Sequence, residues 1–202
     1  AEGIKRGVHH VGDVMYDVAL YYREQAKRQT TVLGDLGLAS GGYALATCHR
    51  AENTDDPQRL SQIVSALAEI AKQIPVVLPL HPRTRKLIAD NGLDDRLGSV
   101  IVTEPIPFLE MVALEQAARV ILTDSGGVQK EAFFYGVPCV TMRDETEWVE
   151  TVELGWNRLV GASADAIVAA VSEETLGTRS VAEVFPYGRG DAARKIINDI
   201  SS

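Results

Sequence analysis

The chain has 202 residues, of which 46% are hydrophobic and 24% are charged. This length and composition suit one well-buried α/β core, and the chain is too short for two large domains. A formal net charge of -8 argues against nucleic-acid binding, which needs clustered Lys and Arg. No apolar run approaches the roughly 18 residues of a membrane span, so no membrane partner is expected. Cys48 and Cys139 are isolated, which predicts reduced thiols in a cytoplasmic protein and no zinc site.

The first part of the chain contains a segment of helical period followed by a polar stretch. Asp13–Arg28 predicts a helix with Val14, Val18 and Tyr21 facing inward. The Gly-containing residues that follow it predict a connection rather than a regular element. The domain organisation we predict is a helix and linker at 1–42, leading in from an upstream domain, and a domain at 43–202 that ends in a helix.

Short apolar runs then alternate with segments of helical period, which is typical of an α/β fold with a doubly wound parallel sheet. The predicted strands are Tyr43–Thr47, Val76–Leu80, Val100–Thr103, Val120–Thr123, Pro138–Met142 and Asn157–Val160. One predicted helix starts behind Asp55-Asp56-Pro57 and has on its inner face Leu60, Ile63, Val64, Leu67, Ile70 and Ala71. The other helices are expected near Arg83–Asp90, Leu109–Ala117, Val128–Tyr135, Glu147–Leu154, Ala164–Ser172 and Ala192–Ile200.

Polar loops follow four of the predicted strands. In an open parallel sheet, ligands bind beyond the carboxyl ends of the strands, where these loops meet. The sequence therefore predicts a ligand site at this edge. In chain order the four loops are Cys48–Asn53, His81–Arg83, Asp124–Gly127 and Arg143–Glu147.

The loop Asp124–Gly127 has the clearest chemistry, because its two glycines let a ligand approach the backbone and a helix is expected from Val128. Free N–H groups and the positive dipole end of that helix favour a phosphate. Ser125 adds a hydroxyl, and Glu131 can accept hydrogen bonds from a ribose diol. The alternative is that Asp124 and Ser125 only cap the helix while the glycines make a tight turn.

The other loops allow both functional and structural interpretations. His49 and Arg50 suit a pyrophosphate and proton transfer near neutral pH, or His49 is a hydrogen-bonded loop residue. His81 either joins the site or ends its strand beside Pro82, and the acidic run 143–150 either joins the site or starts a solvated helix. No Ser-His-Asp order, metal-ligand cluster, P-loop Lys or G-x-G-x-x-G occurs, which excludes hydrolase, metalloenzyme, kinase and simple dehydrogenase functions.

Taken together, these segments resemble the non-hydrolysing UDP-N-acetylglucosamine 2-epimerases. The likeness spans essentially the whole chain in order and spacing, and the block around Ser125 is highly specific. The matching segments are Thr47–Asn53, His81–Arg83, Leu122–Ala132, Gly136–Pro138, Arg143–Glu147 and the closing Tyr187-Gly188-x-Gly190-x-Ala192.

The resemblance implies one Rossmann-like half of a GT-B enzyme, whose active site lies in the cleft between two domains. The carboxylates for proton transfer at C2 would belong to the missing N-terminal domain, and a homodimer of the full-length enzyme is a further expectation. The implied reaction removes the C2 proton, expels UDP to leave a 2-acetamidoglucal, and returns UDP after reprotonation on the other face. It needs no cofactor and no metal.

The resemblance also implies residue roles. His49 would contact the phosphate region and assist departure of the leaving group, as the catalytic residue of this chain. Arg50, Glu52 and His81 match an allosteric site for a second UDP-sugar in some bacterial members, although Ala51 replaces a frequent Arg there. The implied UDP-binding residues are Ser125, Gly126 and Gly127 on the phosphates, Glu131 on the ribose, and Met111 where an aromatic residue often lines the uracil pocket.

The implied substrate pair is UDP-GlcNAc and UDP-ManNAc, in surface polysaccharide synthesis. Trp148, however, stands where many members carry an Arg that reaches the nucleotide, and 146–150 is similar to relatives that act on UDP-2,3-diacetamido uronic acids. The sequence is also compatible with a GT-B glycosyltransferase donor domain and with a non-catalytic UDP-binding module. The isolated chain is expected to be inactive, because a cleft enzyme without one wall does not exclude water.

Overall fold

A computed structural model of the chain describes residues 7–172 and 185–201. Their six strands form one parallel sheet in the order β3-β2-β1-β4-β5-β6, which confirms the predicted α/β fold class. The order reverses between β1 and β4, and this switch point is where such sheets bind ligands. The strands are β1 Ala44–Thr47, β2 Val76–Pro79, β3 Ile101–Thr103, β4 Val120–Thr123, β5 Cys139–Thr141 and β6 Asn157–Leu159.

Ten α-helices connect and cover the strands in the described ranges, together with a short 3-10 helix at Asp94–Leu97. No helix among these residues is long and apolar enough to cross a membrane. The α-helices are α1 Val14–Gln29, α2 Val32–Asp35, α3 Ala51–Thr54, α4 Pro57–Ile70, α5 Pro82–Asp90, α6 Phe108–Ala117, α7 Gly126–Tyr135, α8 Val149–Glu153, α9 Ala164–Ser172 and α10 Ala192–Ile200.

The helix predicted behind Pro57 forms as expected. Asp56 caps α4 by accepting hydrogen bonds from the backbone N–H groups of Gln58 and Arg59, and Pro57 occupies the first turn, where its missing N–H costs nothing. Of the predicted inner face, Ala71 is the cap residue at the far end and is only partly buried. The buried members are Leu60, Ile63, Val64, Leu67 and Ile70.

The strands divide their side chains between two apolar cores, one on each face of the sheet. In β1, Ala44 and Ala46 face the core beneath α4 and α9, whereas Leu45 faces the core beneath α1, α6 and α7. Strands β2 to β5 alternate in the same way, because successive strand side chains point to opposite faces. A strand buried on both faces explains the near-continuous apolar runs of the sequence.

The prediction of which face of α1 points inward was wrong. Val14, Val18 and Tyr21 are exposed, Tyr21 by 64%, whereas Ala19 and Ala26 are buried. The small alanines allow α1 to lie close to α6, and Met15 and Tyr16 pack against the same core, whereas Val14, Val18 and Tyr21 remain on the outer face. The hydrophobic pattern alone favoured the larger residues, because it cannot show which stripe has a neighbouring helix.

The stretch after α1 is more ordered than a linker. It contains α2, whose Val32 is buried, and Leu33, Leu36 and Leu38 pack against the core of the α1 face. Helix α1 also contacts α6, α7 and α10, so it packs directly on the sheet domain. Where an upstream domain would begin stays a prediction.

Candidate functional site

The candidate site lies at the carboxyl edge of the sheet, where β1 and β4 end side by side. Thr47 pairs with Thr123 in this parallel register, and their hydroxyl oxygens are 2.6 Å apart. Three predicted polar loops leave the sheet here, one each from β1, β4 and β5. The fold therefore brings His49, Ser125 and Arg143 to one edge.

Asp124 joins the first two of these loops. It is fully buried, and its carboxylate accepts hydrogen bonds from the backbone N–H groups of His49, at 3.1 Å, and Arg50, at 3.0 Å. The amide of Asn53 donates to the same carboxylate, at 3.2 Å. The idea that Asp124 caps the following helix was wrong, because its side chain instead fixes the loop after β1.

Ser125 is the residue that caps α7. Its Oγ accepts a long hydrogen bond, 3.5 Å, from the backbone N–H of Val128. The helix begins at Gly126, two residues earlier than predicted, so the two glycines form its first turn and neither has a positive φ. Their N–H groups are among those that no helical carbonyl can satisfy, and they add to the positive end of the helix dipole.

Three side chains surround Gly126. A Cβ at this position would lie 3.3 Å from Nε1 of Trp148, and 3.7 Å from both a guanidinium nitrogen of Arg50 and Oε2 of Glu147. Glu147 is held by Arg143 through two hydrogen bonds of 3.0 and 3.2 Å, which lower the pKa of its carboxyl. At Gly126 a side chain is thus disfavoured by limited space rather than by backbone conformation.

Lys130 is a buried cation one turn further along α7. It forms an ion pair with Asp13, just before α1, and its Nζ lies 4.3 Å from the centroid of the Trp148 ring. Tyr187 and Phe134 are also within 6 Å of this ammonium group, at 5.3 and 5.9 Å. The predicted site residues did not include Lys130, and no local motif distinguishes it from a solvated helix lysine.

Glu131 lies on the half-buried side of α7, facing α6. Burial raises the pKa of its carboxyl, and the charge of Lys130 opposes that shift. Glu115 of α6 is 2% exposed, and burial together with the charge of Glu131 raises its pKa well above the usual range. The two carboxyl groups therefore disfavour each other's ionisation, and no sequence motif indicates this pair.

The remaining predicted site residues are Met111, Glu52 and His81, and each lies on or next to a different element. Met111 is half-buried in the first turns of α6, which packs against α7. Glu52 is within 4 Å of both Arg59 and Arg143, so it adjoins the cluster around Glu147. His81 lies one strand further away, after β2, where its Nδ1 accepts a hydrogen bond from the Arg83 N–H and caps α5.

The three residues predicted as an allosteric group each have different neighbours, and the start of α5 is tied to the loop after β1 by the hydrogen bond from the Thr84 hydroxyl to the Cys48 carbonyl, at 2.9 Å. Arg50 adjoins the α7 N-terminus, Glu52 the arginines beside it, and His81 the start of α5. Among the residues that the structure describes, no group of three His, Cys, Asp or Glu side chains could hold a metal ion. The N–H groups at the start of α7, the helix dipole and the Arg50 guanidinium beside Gly126 favour recognition of an anion.

Comparison with known proteins identifies the family. The family model described as UDP-N-acetylglucosamine 2-epimerase matches residues 1–201. A UDP-2,3-diacetamido-2,3-dideoxy-D-glucuronate 2-epimerase of Pseudomonas aeruginosa is 51% identical over 96% of this chain and 54% of its own length. A UDP-N-acetylglucosamine 2-epimerase of Methanocaldococcus jannaschii is 37% identical, over 97% of this chain and 55% of its own.

Solved structures agree with this result. The Methanocaldococcus jannaschii UDP-GlcNAc 2-epimerase in complex with UDP-GlcNAc and UDP superposes with a TM-score of 0.86 at 36% identity, covering 99% of this chain and 56% of the other. A UDP-GlcNAc 2-epimerase from Neisseria meningitidis bound to UDP-GlcNAc gives a TM-score of 0.79 at 29% identity, covering 95% and 54%. The chain thus spans about half the length of the relatives it matches. It belongs to the UDP-N-acetylglucosamine 2-epimerase family.

Proposed function

We propose that this chain is the UDP-binding half of a nucleotide-sugar isomerase that interconverts UDP-GlcNAc and UDP-ManNAc by elimination and re-addition of UDP. The observation that carries the proposal is the N-terminus of α7. There the Ser125 cap and two glycine N–H groups lie beside the Arg50 guanidinium, and the absence of a side chain at Gly126 leaves room for a ligand. Such a site stabilises the charge that develops on UDP as it departs.

The proposal assigns a role to each of the site residues. Ser125, Gly126 and Gly127 bind the phosphates, and Glu131 on α7 accepts hydrogen bonds from the ribose. Met111, on the neighbouring helix α6, is assigned to the base. His49 is half exposed at the mouth of β1, where its backbone is fixed by Asp124, and its imidazole serves the leaving diphosphate.

The second half of the site would come from a domain outside this chain. The relatives are about twice as long, which supports a two-domain GT-B enzyme whose other domain carries the groups that move the C2 proton. The proposal includes no cofactor, a homodimer of the full-length protein, and a role in polysaccharide biosynthesis. A cytoplasmic location is supported by Cys48 and Cys139, which are both free and buried.

Calorimetric titration of the chain with UDP tests the nucleotide site. We expect saturable binding that weakens as salt is added, because phosphate recognition by Arg50 and the α7 dipole is electrostatic. Lack of binding at millimolar UDP would exclude the proposed site. Arg50→Ala should weaken binding several-fold, whereas Arg96→Ala should not, because Arg96 contacts Ser61 on an exposed surface.

A second candidate substrate is a UDP-2,3-diacetamido uronic acid, favoured by the 51% identity to the Pseudomonas aeruginosa relative. Full-length protein incubated in deuterium oxide with each sugar nucleotide separates the candidates, because a 2-epimerase introduces solvent deuterium at C2 of its own substrate. Exchange with neither sugar, together with transfer of the sugar to an added acceptor, would instead favour a glycosyltransferase.

A further inference from the structure

The indole N–H of Trp148 is a buried donor without a hydrogen-bond partner in the described part of the chain. Buried polar groups are nearly always paired, so an unpaired donor needs an explanation. The backbone of Trp148, by contrast, is well paired. Its N–H donates to the Thr146 hydroxyl at 3.1 Å, and its carbonyl accepts from the Thr151 hydroxyl at 2.7 Å.

The unpaired nitrogen lies beside the first turn of α7. A Cβ on Gly126 would be 3.3 Å from it, which is closer than side chains ordinarily tolerate. On the same side of Gly126 lie the guanidinium of Arg50 and the carboxylate of Glu147. Because Arg143 binds that carboxylate through two hydrogen bonds, its negative charge is largely offset, and the surroundings still favour an anion.

The Trp148 ring is held before any ligand arrives. The ammonium of Lys130 stacks on its face, 4.3 Å from the ring centroid, and Asp13 anchors Lys130 through an ion pair. The Tyr187 ring meets the Trp148 ring edge-on, with centroids 6.5 Å apart. A donor fixed in this way binds a ligand without further loss of side-chain freedom.

We propose that Trp148 is a ligand-binding residue of this site, and that its indole N–H donates a hydrogen bond to an oxygen of the diphosphate bound at the α7 N-terminus. The proposal rests on the proposed function, since it takes the ligand to be a nucleoside diphosphate. It deepens that function by assigning the diphosphate a third kind of donor, besides the backbone N–H groups and Arg50. Lys130 is then a positioning residue, which acts through the ring.

The competing explanation is that the ring only fills the core and that its N–H binds a water molecule. The two explanations predict different effects of UDP and uridine on the Trp148 indole. A bond to the diphosphate responds to UDP and not to uridine, whereas a ring that only supports the fold affects both ligands equally. Trp148 and Trp156 are the two tryptophans of the chain, so their indole signals are assigned with a single substitution.

The first measurement uses the unmodified chain. Its two indole N–H resonances are recorded in ¹H–¹⁵N spectra, assigned with Trp156→Phe, during titration with UDP and separately with uridine. We expect the Trp148 signal to move downfield with UDP and to stay in place with saturating uridine. A Trp148 indole that is unmoved by saturating UDP overturns the proposal.

The second measurement is the affinity of Trp148→Phe, which keeps an aromatic ring for Lys130 and removes the donor. We expect about tenfold weaker UDP binding and unchanged uridine binding, since a hydrogen bond to a charged group contributes about that factor. Trp156→Phe, at the far end of α7 near Gly136, should change neither affinity. Equal losses for UDP and uridine overturn the proposal.

The measurements distinguish a failure of the proposed function from a failure of the role of Trp148. If the unmodified chain does not bind UDP, the proposed function and the role of Trp148 both fall. If UDP binds and Trp148→Phe binds it equally well, only the role of Trp148 falls. If Trp148→Phe does not fold, the spectra of the unmodified chain still decide the question.

Discussion

Among single residues, Asp124 determines the shape of the site although it need not touch a ligand. Its buried carboxylate accepts from two backbone N–H groups of the loop after β1 and from Asn53. The Asn53 amide also donates to the carbonyl of Met142, at 2.9 Å, so the ends of β1, β4 and β5 are joined through these two side chains. The position of His49 and Arg50 therefore depends on Asp124, which directly follows a different strand, β4.

Asp124→Asn should lower the free energy of unfolding by about 2 to 3 kcal/mol, because it removes a charge that several buried donors satisfy. It should also weaken UDP binding, since the loop carrying Arg50 is released. Urea unfolding and calorimetry measure the two effects. Asp90→Asn, which removes an exposed partner of Lys86, is the matched control and should change stability by well under 1 kcal/mol. Equal effects of the two substitutions would contradict the role assigned to Asp124.

Glu115 makes the stability of the chain depend on pH. Because burial and the charge of Glu131 raise its pKa in the folded chain, the folded state holds the proton more tightly than the unfolded state. The unfolding free energy should therefore fall as the pH rises above the ordinary glutamate value of about 4.3, towards the raised folded-state pKa. Below that ordinary value, protonated Glu115 makes its full contribution to the free energy of unfolding.

Glu115→Gln should flatten this decline, because an amide does not titrate. Urea unfolding at intervals between pH 5 and pH 8 measures the slope for both proteins. Glu69→Gln is the control, since Glu69 is exposed beside Lys72 and its loss should leave the slope unchanged. A slope that Glu115→Gln does not reduce would show that the carboxyl pair is not the source of the pH dependence.

Among the secondary-structure elements, α7 combines a structural and a binding role in its first turn. Its apolar residues pack beneath α1 and α6, while Gly126 and Gly127 leave N–H groups free at the sheet edge, and the Ser125 N–H donates to the Thr123 hydroxyl at 2.9 Å. The two glycines differ in their surroundings. The nearest atoms to a Cβ on Gly127 would be 3.8 Å away, an ordinary contact, whereas Gly126 has Trp148 at 3.3 Å.

Gly127→Ala should therefore stabilise the chain by up to about 1 kcal/mol, because alanine costs less backbone entropy in a helix than glycine. Gly126→Ala should gain less or destabilise, since Trp148 or the helix start must shift. Thermal and urea unfolding of the two variants, side by side, measure the difference. If Gly126→Ala is the more stable variant, the close approach of Trp148 to α7 is not a constraint.

In the molecule as a whole, the ends of the described chain meet beside the site. The backbone N–H of Asp13 donates to the carbonyl of Tyr187 at 2.9 Å, and Asp17 accepts hydrogen bonds from the first N–H groups of α10. The segment around Asp13 is thus packed on the segment around Tyr187, and both contact Lys130.

The isolated chain should bind UDP and yet not epimerise UDP-GlcNAc, because water reaches the open face of the site and the proposed proton-transfer groups are elsewhere. Incubation in deuterium oxide, followed by analysis of C2, measures turnover for the chain and for the full-length protein. Deuterium incorporation by the isolated chain would show that its own residues suffice for the chemistry.

Local signals along the chain were enough to predict the sheet, most of the helices and the candidate edge. Apolar runs of strand length predicted β1 to β6 within one or two residues, and Asp56 and Pro57 predicted the start of α4, because these signals act within one element. The order of polar loops placed His49, Ser125 and Arg143 at one edge, since parallel strands all end there.

Which residues meet one another depended on the tertiary packing. Contacts between elements distant in sequence determine which face of α1 points inward and how the Asp124 carboxylate fixes the loop after β1. Such contacts also bring Trp148, Arg50 and Glu147 to Gly126, and they bury Glu115 beside Glu131. Hydrophobic period and capping signals describe one element at a time and do not show which neighbour it packs against. A buried glutamate and a solvated one cannot be distinguished in the sequence, because the pKa of each carboxyl is set by the residues packed around it.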